Sequence, residues 1–249
     1  MSDDYAVLAS VYDALGMGDF AENLTPRLID YAHRSDWAGR RIVDLGCGTG
    51  ASVRWFANHG YNITGIDLSP AMLRVAQQSI TGSGIAFQLM EGDIRALSDL
   101  HDIDFVLALD VLNELNSLRD LETVFASVAR ILAPGKLLVF DLHTIEGLAQ
   151  RDPVSVVADS DDLAVTLSSR FDYDRQAVNG SYIIFHRNGN AWQRYRAART
   201  LRGFPVQVVT ALLQRTGFGI MALLNTRLET LDPTAIREPR VIIFAQRSP

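Results

Sequence analysis

The stretch from Arg41 to Gly50, RIVDLGCGTG, constrains the fold more than any other part of the chain. Its apolar run, Ile42 to Leu45, is typical of a strand buried in a parallel sheet. Three glycines follow on alternate positions, and glycine lets the backbone turn tightly and lets a ligand approach it closely. Ala51 to His59 then has the spacing of a helix. Strand, glycine turn and helix together predict a nucleotide cradle at the carboxyl edge of a sheet.

The same alternation of strand and helix continues as far as residue 140. The clearest amphipathic helix covers 119–132 and ends at Pro134-Gly135. Alternating strands and helices predict a doubly wound, parallel α/β sheet with right-handed crossovers. The four predicted strands after the glycine turn are Tyr61–Ile66, Ile85–Met90, Asp104–Leu109 and Leu137–Phe140.

The pattern changes near residue 150. Shorter runs with polar alternation, joined by turn residues such as Asn188-Gly189, predict a small antiparallel insertion after the fifth strand. A helix over 205–216 and two strands, Gly219–Leu224 and Arg240–Ala245, are expected to bring the main sheet to seven strands. Before the glycine turn, 5–34 reads as two helical pieces, the second capped by Thr25-Pro26. This segment either covers the cradle as a flap or packs as an ordinary helix.

Charge and composition exclude several classes of protein. The net charge of −6 over 249 residues argues against a basic surface for nucleic acid or anionic membranes. We find no apolar run long enough to span a bilayer and no signal peptide, so we expect a cytoplasmic protein. Cys47 is the only cysteine, which rules out an intrachain disulfide. The five histidines lack zinc-site spacing, so no metal site is expected.

The spacing of the glycines separates the candidate ligands. A dinucleotide fold uses G-x-G-x-x-G, whereas here the pattern is G-x-G-x-G, with Asp44 two residues before the first glycine. An acidic side chain would repel a phosphate and attract a cation. A phosphate-binding P-loop is excluded because no Gly-Lys-Ser/Thr follows.

These residues resemble the class I S-adenosylmethionine-dependent methyltransferases, whose first motif is close to [DE]-x-G-x-G-x-G. Asp44 to Gly50 matches that motif at every specified position. Gly65 to Ser69 resembles the second motif, Gly92-Asp93-Ile94 the third, and Leu132 to Leu137 the turn into strand five. The resemblance implies a Rossmann-like methyltransferase sheet and one domain over 1–249. Its expected parts are a helical flap (1–36), the cofactor-binding core (37–149), an antiparallel lid (150–203) and the completion of the sheet (204–249).

The resemblance also implies roles for residues of the cofactor site. Asp67, at the end of strand two, would accept hydrogen bonds from both ribose hydroxyls. Asp93 would accept from the adenine amine, although a turn-capping role competes with this one. Asp44 would act on the electrostatics near the sulfonium. The remaining expected cofactor contacts are the backbone at Gly46, Cys47 and Gly48, the backbone N–H of Ile94, and the side chains of Leu68, Met72, Leu109 and Tyr12.

Candidate catalytic residues follow the strand ends or sit in the N-terminal segment. His143 is the histidine that follows strand five, and an unperturbed imidazole titrates near neutrality. Tyr12 and Asn113 are the other two candidates. The alternative for His143 is that it only caps the turn that follows strand five. Five arginines of the insertion form either a solvated sheet face or a site for an anionic acceptor; they are Arg170, Arg187, Arg194, Arg196 and Arg199.

The leading hypothesis is an S-adenosylmethionine-dependent N- or O-methyltransferase that acts on a small metabolite. The insertion is similar to that of amino-sugar N-methyltransferases of secondary metabolism, although the E-x-H pair that such relatives often carry is absent from Arg194 to Arg199. We expect a small-molecule partner, no nucleic acid and no membrane, and leave a homodimer open. The alternatives are a non-catalytic cofactor-binding scaffold and, less favoured, a nicotinamide-dependent oxidoreductase.

Overall fold

The computed structural model describes residues 4–80, 87–97 and 100–249. Helices precede or follow most of the first five strands, and four consecutive strands come after a short helix that follows the fifth. In chain order the elements are α1 (Asp4–Ala9), α2 (Asp19–Arg34), β1 (Arg41–Leu45), α3 (Ala51–Asn58), β2 (Asn62–Asp67), α4 (Pro70–Ile80), β3 (Phe87–Glu91), β4 (Ile103–Ala108), a 3₁₀ turn (Leu112–Glu114), α5 (Leu118–Ile131), β5 (Leu132–His143), α6 (Ile145–Ala149), β6 (Val154–Asp159), β7 (Leu163–Asp172), β8 (Ala177–Asn188), β9 (Ala191–Arg202), α7 (Val206–Arg215), β10 (Phe218–Leu224) and β11 (Arg240–Arg247).

The main sheet has seven strands in the order β10-β11-β5-β4-β1-β2-β3. The five strands from β5 to β3 run parallel, and β11 and β10 are antiparallel additions at one edge. The doubly wound α/β fold is therefore confirmed, and so are the two closing strands. The third strand was predicted to begin at Ile85. Residues 81–86 lie outside the described part of the chain, and within the described part β3 begins at Phe87.

Both faces of the sheet are buried, which explains why its central strands read as continuous apolar runs. On one face, side chains of α5 and α7 pack against Val43 and Val106. On the other face, α2 and α3 pack against Ile42 and Phe105. The described residues contain no helix that combines the length and the apolarity needed to cross a membrane.

The insertion forms a separate antiparallel sheet in the order β6-β7-β8-β9, as predicted. Its strands are longer than expected, and β6 was missed because Val154 and Val156 alternate with small or acidic residues only briefly. The β8–β9 hairpin turns at the predicted place, where Asn188 pairs with Ala191 and Gly189 adopts a φ of +61°. We call these four strands the lid sheet.

The N-terminal segment lies between the two sheets. Leu8 of α1 is buried in a cluster that contains Met72 of α4 and Tyr182 of the lid sheet. Beyond α1, the carboxylate of Asp13 accepts a hydrogen bond from the hydroxyl of Thr49 in the glycine turn, at 2.6 Å. The N-terminal segment thus contacts the glycine turn through Asp13.

The predicted start of the second helix was wrong. Helix α2 begins at Asp19, and Pro26 lies inside it. Thr25 does not cap the helix, because its hydroxyl is buried and bonds the carbonyl of Ala21 and the hydroxyl of Ser52 in α3, at 2.7 and 2.8 Å. Packing against α3 thus stabilises a helix that the proline alone would interrupt.

Two glycines of the glycine turn offer a matched test of how closely α3 packs on α4. Gly48 and Gly50 both have positive φ, so a side chain at either position costs about 1–2 kcal/mol. A Cβ on Gly50 would also lie 3.0 Å from Cβ of Ala76 in α4, whereas a Cβ on Gly48 would have no atom within 4 Å. We expect Gly50→Ala to lower the free energy of unfolding more than Gly48→Ala, as measured by urea denaturation. Equal losses would contradict the close packing of α3 on α4.

Candidate cofactor and acceptor site

The glycine turn lies where β1 and β2 end side by side. The N–H groups of Gly46 and Cys47 both donate to the carbonyl of Ile66, at 2.7 and 3.0 Å, which fixes the turn against β2. Gly46 has a φ of +66°, and a Cβ there would lie 2.4 Å from Val111. Gly48 has a φ of +54° and open space where a Cβ would be. The backbone of the turn is therefore accessible to a ligand on this side.

Asp67 is held in place by backbone donors. One carboxylate oxygen accepts from the N–H of Gly48 and the other from the N–H of Ser69, each at 2.8 Å. Burial raises the pKa of Asp67, and these two hydrogen bonds oppose that rise. A carboxylate offers about four lone-pair positions, so two remain for a pair of ligand hydroxyls.

Asp44 is a buried carboxyl group without a partner. Its relative exposure is 3%, and no described residue donates a hydrogen bond to its side chain. Burial, together with the neighbouring charge of Asp67, raises the pKa of Asp44 to about 8. An isolated buried carboxylate is unfavourable, and a cationic ligand group beside it would relieve that cost. The cradle therefore fits a cationic ligand better than a phosphate.

The apolar residues of the expected cofactor site differ in accessibility. Leu68 is 48% exposed and follows Asp67 directly. Met72 is buried beneath α1, while Ile94 and Leu109 are buried in the core on opposite faces of the sheet. Tyr12 is partly buried, its hydroxyl has no hydrogen-bond partner among the described residues, and burial raises its pKa.

Asp93 carries an ion pair that the sequence did not suggest. Both of its carboxylate oxygens accept from the guanidinium of Arg95, the shortest contact being 2.6 Å, and one also accepts from the N–H of Arg95. Arg95 reaches Asp120 of α5 as well, at 3.1 Å. The hydrogen bonds from Arg95 hold the pKa of Asp93 below its ordinary value. This contact matches the turn-capping alternative, and adenine recognition by Asp93 stays a prediction.

A network of buried charges lies beside the glycine turn, at the ends of β4 and β5. Asp110, which has a positive φ of +55°, accepts hydrogen bonds from Arg199 of the lid sheet and from Arg240 of β11. Arg199 also donates to Glu114, at 2.7 Å, and Arg240 donates to Asp141, at 2.6 Å. Burial raises the pKa of Asp110, but the two guanidinium groups outweigh burial and hold that pKa well below its ordinary value.

The placement of Arg199 corrects one expectation. Of the five arginines of the insertion that were considered as one group, four are exposed, as expected for a solvated sheet face. The side chain of Arg199 is only 9% exposed. It lies on the inward face of β9 between the buried residues Ala197 and Leu201, because side chains alternate along a strand.

Asn113 acts on the backbone. Its amide NH₂ donates to the carbonyls of His143 and Arg202, at 3.1 and 2.7 Å, and its amide oxygen accepts from the N–H of His143, at 2.8 Å. These bonds fasten the 3₁₀ turn to the ends of β5 and β9. The hydrogen-bonding capacity of Asn113 is thus largely committed to structure, which leaves little for the direct catalytic role expected of it.

His143 lies at the end of β5 with its imidazole half-buried in the charge network. Its Nε2 atom lies 3.0 Å from Nη2 of Arg151 and 3.4 Å from an oxygen of Asp110. A guanidinium only donates, so the shorter contact makes Nε2 an acceptor and assigns the ring proton to Nδ1. Burial lowers the pKa of His143, which keeps the ring neutral at pH 7.

Four residues of this region were not found from the sequence. Tyr5 donates to Glu114, and Tyr182 is a buried residue of the lid sheet. Arg151 follows α6 and contacts His143, while Arg240 belongs to β11 and contacts Asp141. None stands in a motif, and only the fold brings them together. Among the described residues, no group of three or more potential metal ligands is found.

Comparisons with known proteins agree with this geometry. The family model for the methyltransferase domain matches residues 43–140. YqeM of Bacillus subtilis (strain 168), whose name provisionally assigns it to the methyltransferases, is 34% identical over 212 residues, which is 84% of each chain. The chain belongs to the S-adenosylmethionine-dependent methyltransferases. The family and cofactor expected from the glycine turn are therefore confirmed.

Solved structures show that the methyltransferase fold extends over nearly the whole chain. An S-adenosylmethionine-dependent methyltransferase from Clostridium acetobutylicum is similar with a TM-score of 0.85 and 20% identity, over 98% of this chain and 99% of that one. CalS10 from Micromonospora echinaspora, an amino pentose methyltransferase, is similar with a TM-score of 0.75 and 22% identity, over 96% and 97% of the two chains. At these identities the two comparisons show a shared fold.

The Asn113 clamp predicts a loss of stability. Asn113→Ala leaves three backbone groups without partners, so we expect the free energy of unfolding to fall by about 2–4 kcal/mol. Asn179→Ala is the matched control, because Asn179 is exposed and bonds only Thr200 among the described residues. Urea denaturation of both variants measures the difference. A loss no larger than that of the control would refute the clamp.

The raised pKa of Asp44 predicts a pH dependence of stability. Between the unfolded pKa of about 3.9 and the folded pKa of about 8, the folded state binds the extra proton, so stability falls as pH rises. We expect Asp44→Asn, which cannot ionise, to gain stability relative to the natural chain from pH 5 to pH 8. Asp104→Asn is the control, because the pKa of Asp104 is lowered and its effect is constant over that range. Parallel pH profiles for all three chains would exclude the raised pKa.

Proposed function

We propose that this methyltransferase moves a methyl group to a nitrogen or oxygen atom of a small metabolite. The observation that carries the proposal is the pair formed by the buried carboxyl group of Asp44 and the half-buried carboxylate of Asp67, beside a glycine turn whose backbone is open at Gly48. The name of CalS10, an amino pentose methyltransferase, and the match of its fold along this chain support a small acceptor.

Each residue of the cradle would then have one task. Asp67 would hold the two ribose hydroxyls with its free lone pairs, and the backbone from Gly46 to Gly48 would lie against the methionine part. Asp44 would balance the positive charge at that end. Leu68 and Met72 would border the adenine, the backbone N–H of Ile94 would donate to one of its ring nitrogens, and Leu109 stays an expected cofactor contact. When bound, S-adenosylmethionine supplies an activated methyl group, so the protein's own part is to align and desolvate the acceptor.

The acceptor would be received under the lid sheet. The hydroxyls of Tyr12 and Tyr182 have no hydrogen-bond partner among the described residues and are therefore free to orient it. The neutral imidazole of His143 is the group best placed to take the proton that an amine or hydroxyl loses. Segment 4–18 and the lid sheet would keep water from the reacting atoms.

Several finer features belong to the same proposal. We propose a single domain, a cytoplasmic location and a place in secondary metabolism; the dimer remains an open expectation. A non-catalytic cofactor-binding protein is the second candidate, favoured by the commitment of Asn113 to the backbone and of His143 Nε2 to Arg151. Formation of S-adenosylhomocysteine with any member of an amine and phenol panel would exclude this second candidate.

Cofactor binding provides the direct test. Calorimetry is expected to show micromolar binding of S-adenosylmethionine and S-adenosylhomocysteine. Asp67→Ala removes two charge-assisted hydrogen bonds, so we expect binding to weaken by about 2–3 kcal/mol, roughly 30- to 150-fold. Asp174→Ala, at an exposed turn of the lid sheet, serves as the control. The proposal fails if neither ligand binds, or if Asp67→Ala binds as tightly as the control.

A further inference from the structure

Arg151 is a cation of the charge network that has no carboxylate partner. Arg199 and Arg240 each contact two carboxylates. Arg151 forms no ion pair with any described residue, and its side chain donates only to the neutral ring of His143, at 3.0 Å. The difference matters because all three guanidinium groups belong to one neighbourhood, where the charges of Arg199 and Arg240 act on Arg151.

The environment of Arg151 is unfavourable for an unpaired charge. Burial lowers its pKa, the repulsion from Arg199 lowers it further, and the attraction of Asp110 only partly compensates. A partly buried cation that lacks a counter-ion is a costly arrangement in a folded protein. A bound anion would remove that cost.

The unused donors of Arg151 remain accessible. Among the described residues, the only fully buried side-chain nitrogen or oxygen without a partner is Nε of Arg202. The other N–H groups of Arg151 therefore reach open space. The charge of Arg151 also acts on Tyr182, where it opposes the rise in pKa that burial causes. Arg151 thus keeps donors beside His143 that no described residue uses.

We propose that Arg151 binds an anionic group, a carboxylate or a phosphate, on the acceptor molecule. The planar guanidinium can bind either group through two parallel hydrogen bonds. This inference rests on the proposed function, and it narrows the acceptor to a small molecule that carries an anion as well as the nucleophilic amine or hydroxyl.

Anion binding would also change the state of His143. In the structure Nε2 is occupied by the N–H of Arg151. When Arg151 turns toward an anion, the lone pair on Nε2 becomes available for the proton of the acceptor. Arg151 would thus couple the arrival of the acceptor to the release of the base.

The test uses simple probes on protein that calorimetry has shown to hold S-adenosylhomocysteine. Benzoate, phenyl phosphate and benzamide are titrated up to the low millimolar range, and the imidazole ¹⁵N signals of His143 are followed by NMR. We expect at least one anion to bind saturably and to shift the His143 signals, while the neutral amide does neither. The comparison of benzoate with phenyl phosphate distinguishes a carboxylate from a phosphate.

Three variants complete the design. Arg151→Met is expected to weaken anion binding roughly tenfold to a hundredfold, whereas Arg151→Lys keeps part of it. Arg151→Met is also expected to raise the pKa of His143, because a neighbouring positive charge is removed. Arg170→Met, at an exposed position of the lid sheet, should bind the anion as the natural chain does.

Two results would overturn the inference: equal binding of benzoate and benzamide, or anion binding that survives Arg151→Met. Absence of saturable binding by both anions would overturn it as well. Because the protein already holds S-adenosylhomocysteine in these titrations, any of these results leaves the proposed methyltransferase function standing. Loss of S-adenosylhomocysteine binding in the natural chain would instead refute the proposed function.

Discussion

The contacts of the half-buried carboxylate of Asp110 are the interactions on which the arrangement of the proposed acceptor side depends. Arg199 of the lid sheet and Arg240 of β11 both form ion pairs with this carboxylate, and each arginine also pairs with a second carboxylate. Without these partners the charge of Asp110 would be unfavourable in a buried position, since a lone buried charge costs several kcal/mol. The two sheets are therefore joined by charge as well as by the apolar cluster around α1.

The cofactor side rests on a different principle. There the backbone supplies the geometry, because the glycine turn is fixed to β2 by Gly46 and Cys47 and to Asp67 by Gly48. Asp44 is buried, accepts no hydrogen bond from a described residue and has a raised pKa, so a cation beside it would favour its ionised form. The donor cradle thus suits a positive charge, whereas the proposed acceptor side holds Arg151, which forms no ion pair with a described residue. This difference suits a positively charged donor and an acceptor that carries an anion.

The cofactor half of the molecule could be predicted because its signals are local in sequence. The spacing of glycines from Gly46 to Gly50 and the carboxylate at Asp67 depend on neighbouring residues and on the order of parallel strands. The acceptor half could not be predicted in the same way. In the sequence Arg199 cannot be told from an arginine of a solvated strand until the inward face of β9 is known. The bonds from Asn113 to the ends of β5 and β9 are likewise visible only in the fold, and its catalytic role stays a prediction.

Two further cases show what local patterns leave out. Asp93 follows a strand as an adenine-binding carboxylate would, and that role stays a prediction; in the structure Arg95, two residues further, bonds both of its oxygens. Pro26 normally marks the start of a helix, but the buried hydroxyl of Thr25 supports a helix that begins earlier. At Thr25 the tertiary contact with Ser52 overrides a local preference, and such contacts leave no periodic trace in the sequence.

The short length of α1 has a consequence for how ligands enter and leave. Six residues are too few for a helix that is stable in isolation, so the order of α1 comes from the surfaces of α4 and β9 between which it lies. We therefore expect the site to open at this end by local unfolding of α1 rather than by rigid-body motion of the helix. Opening of the site at this end and hydrogen exchange in residues 4–18 are then expected to share one free energy of local unfolding.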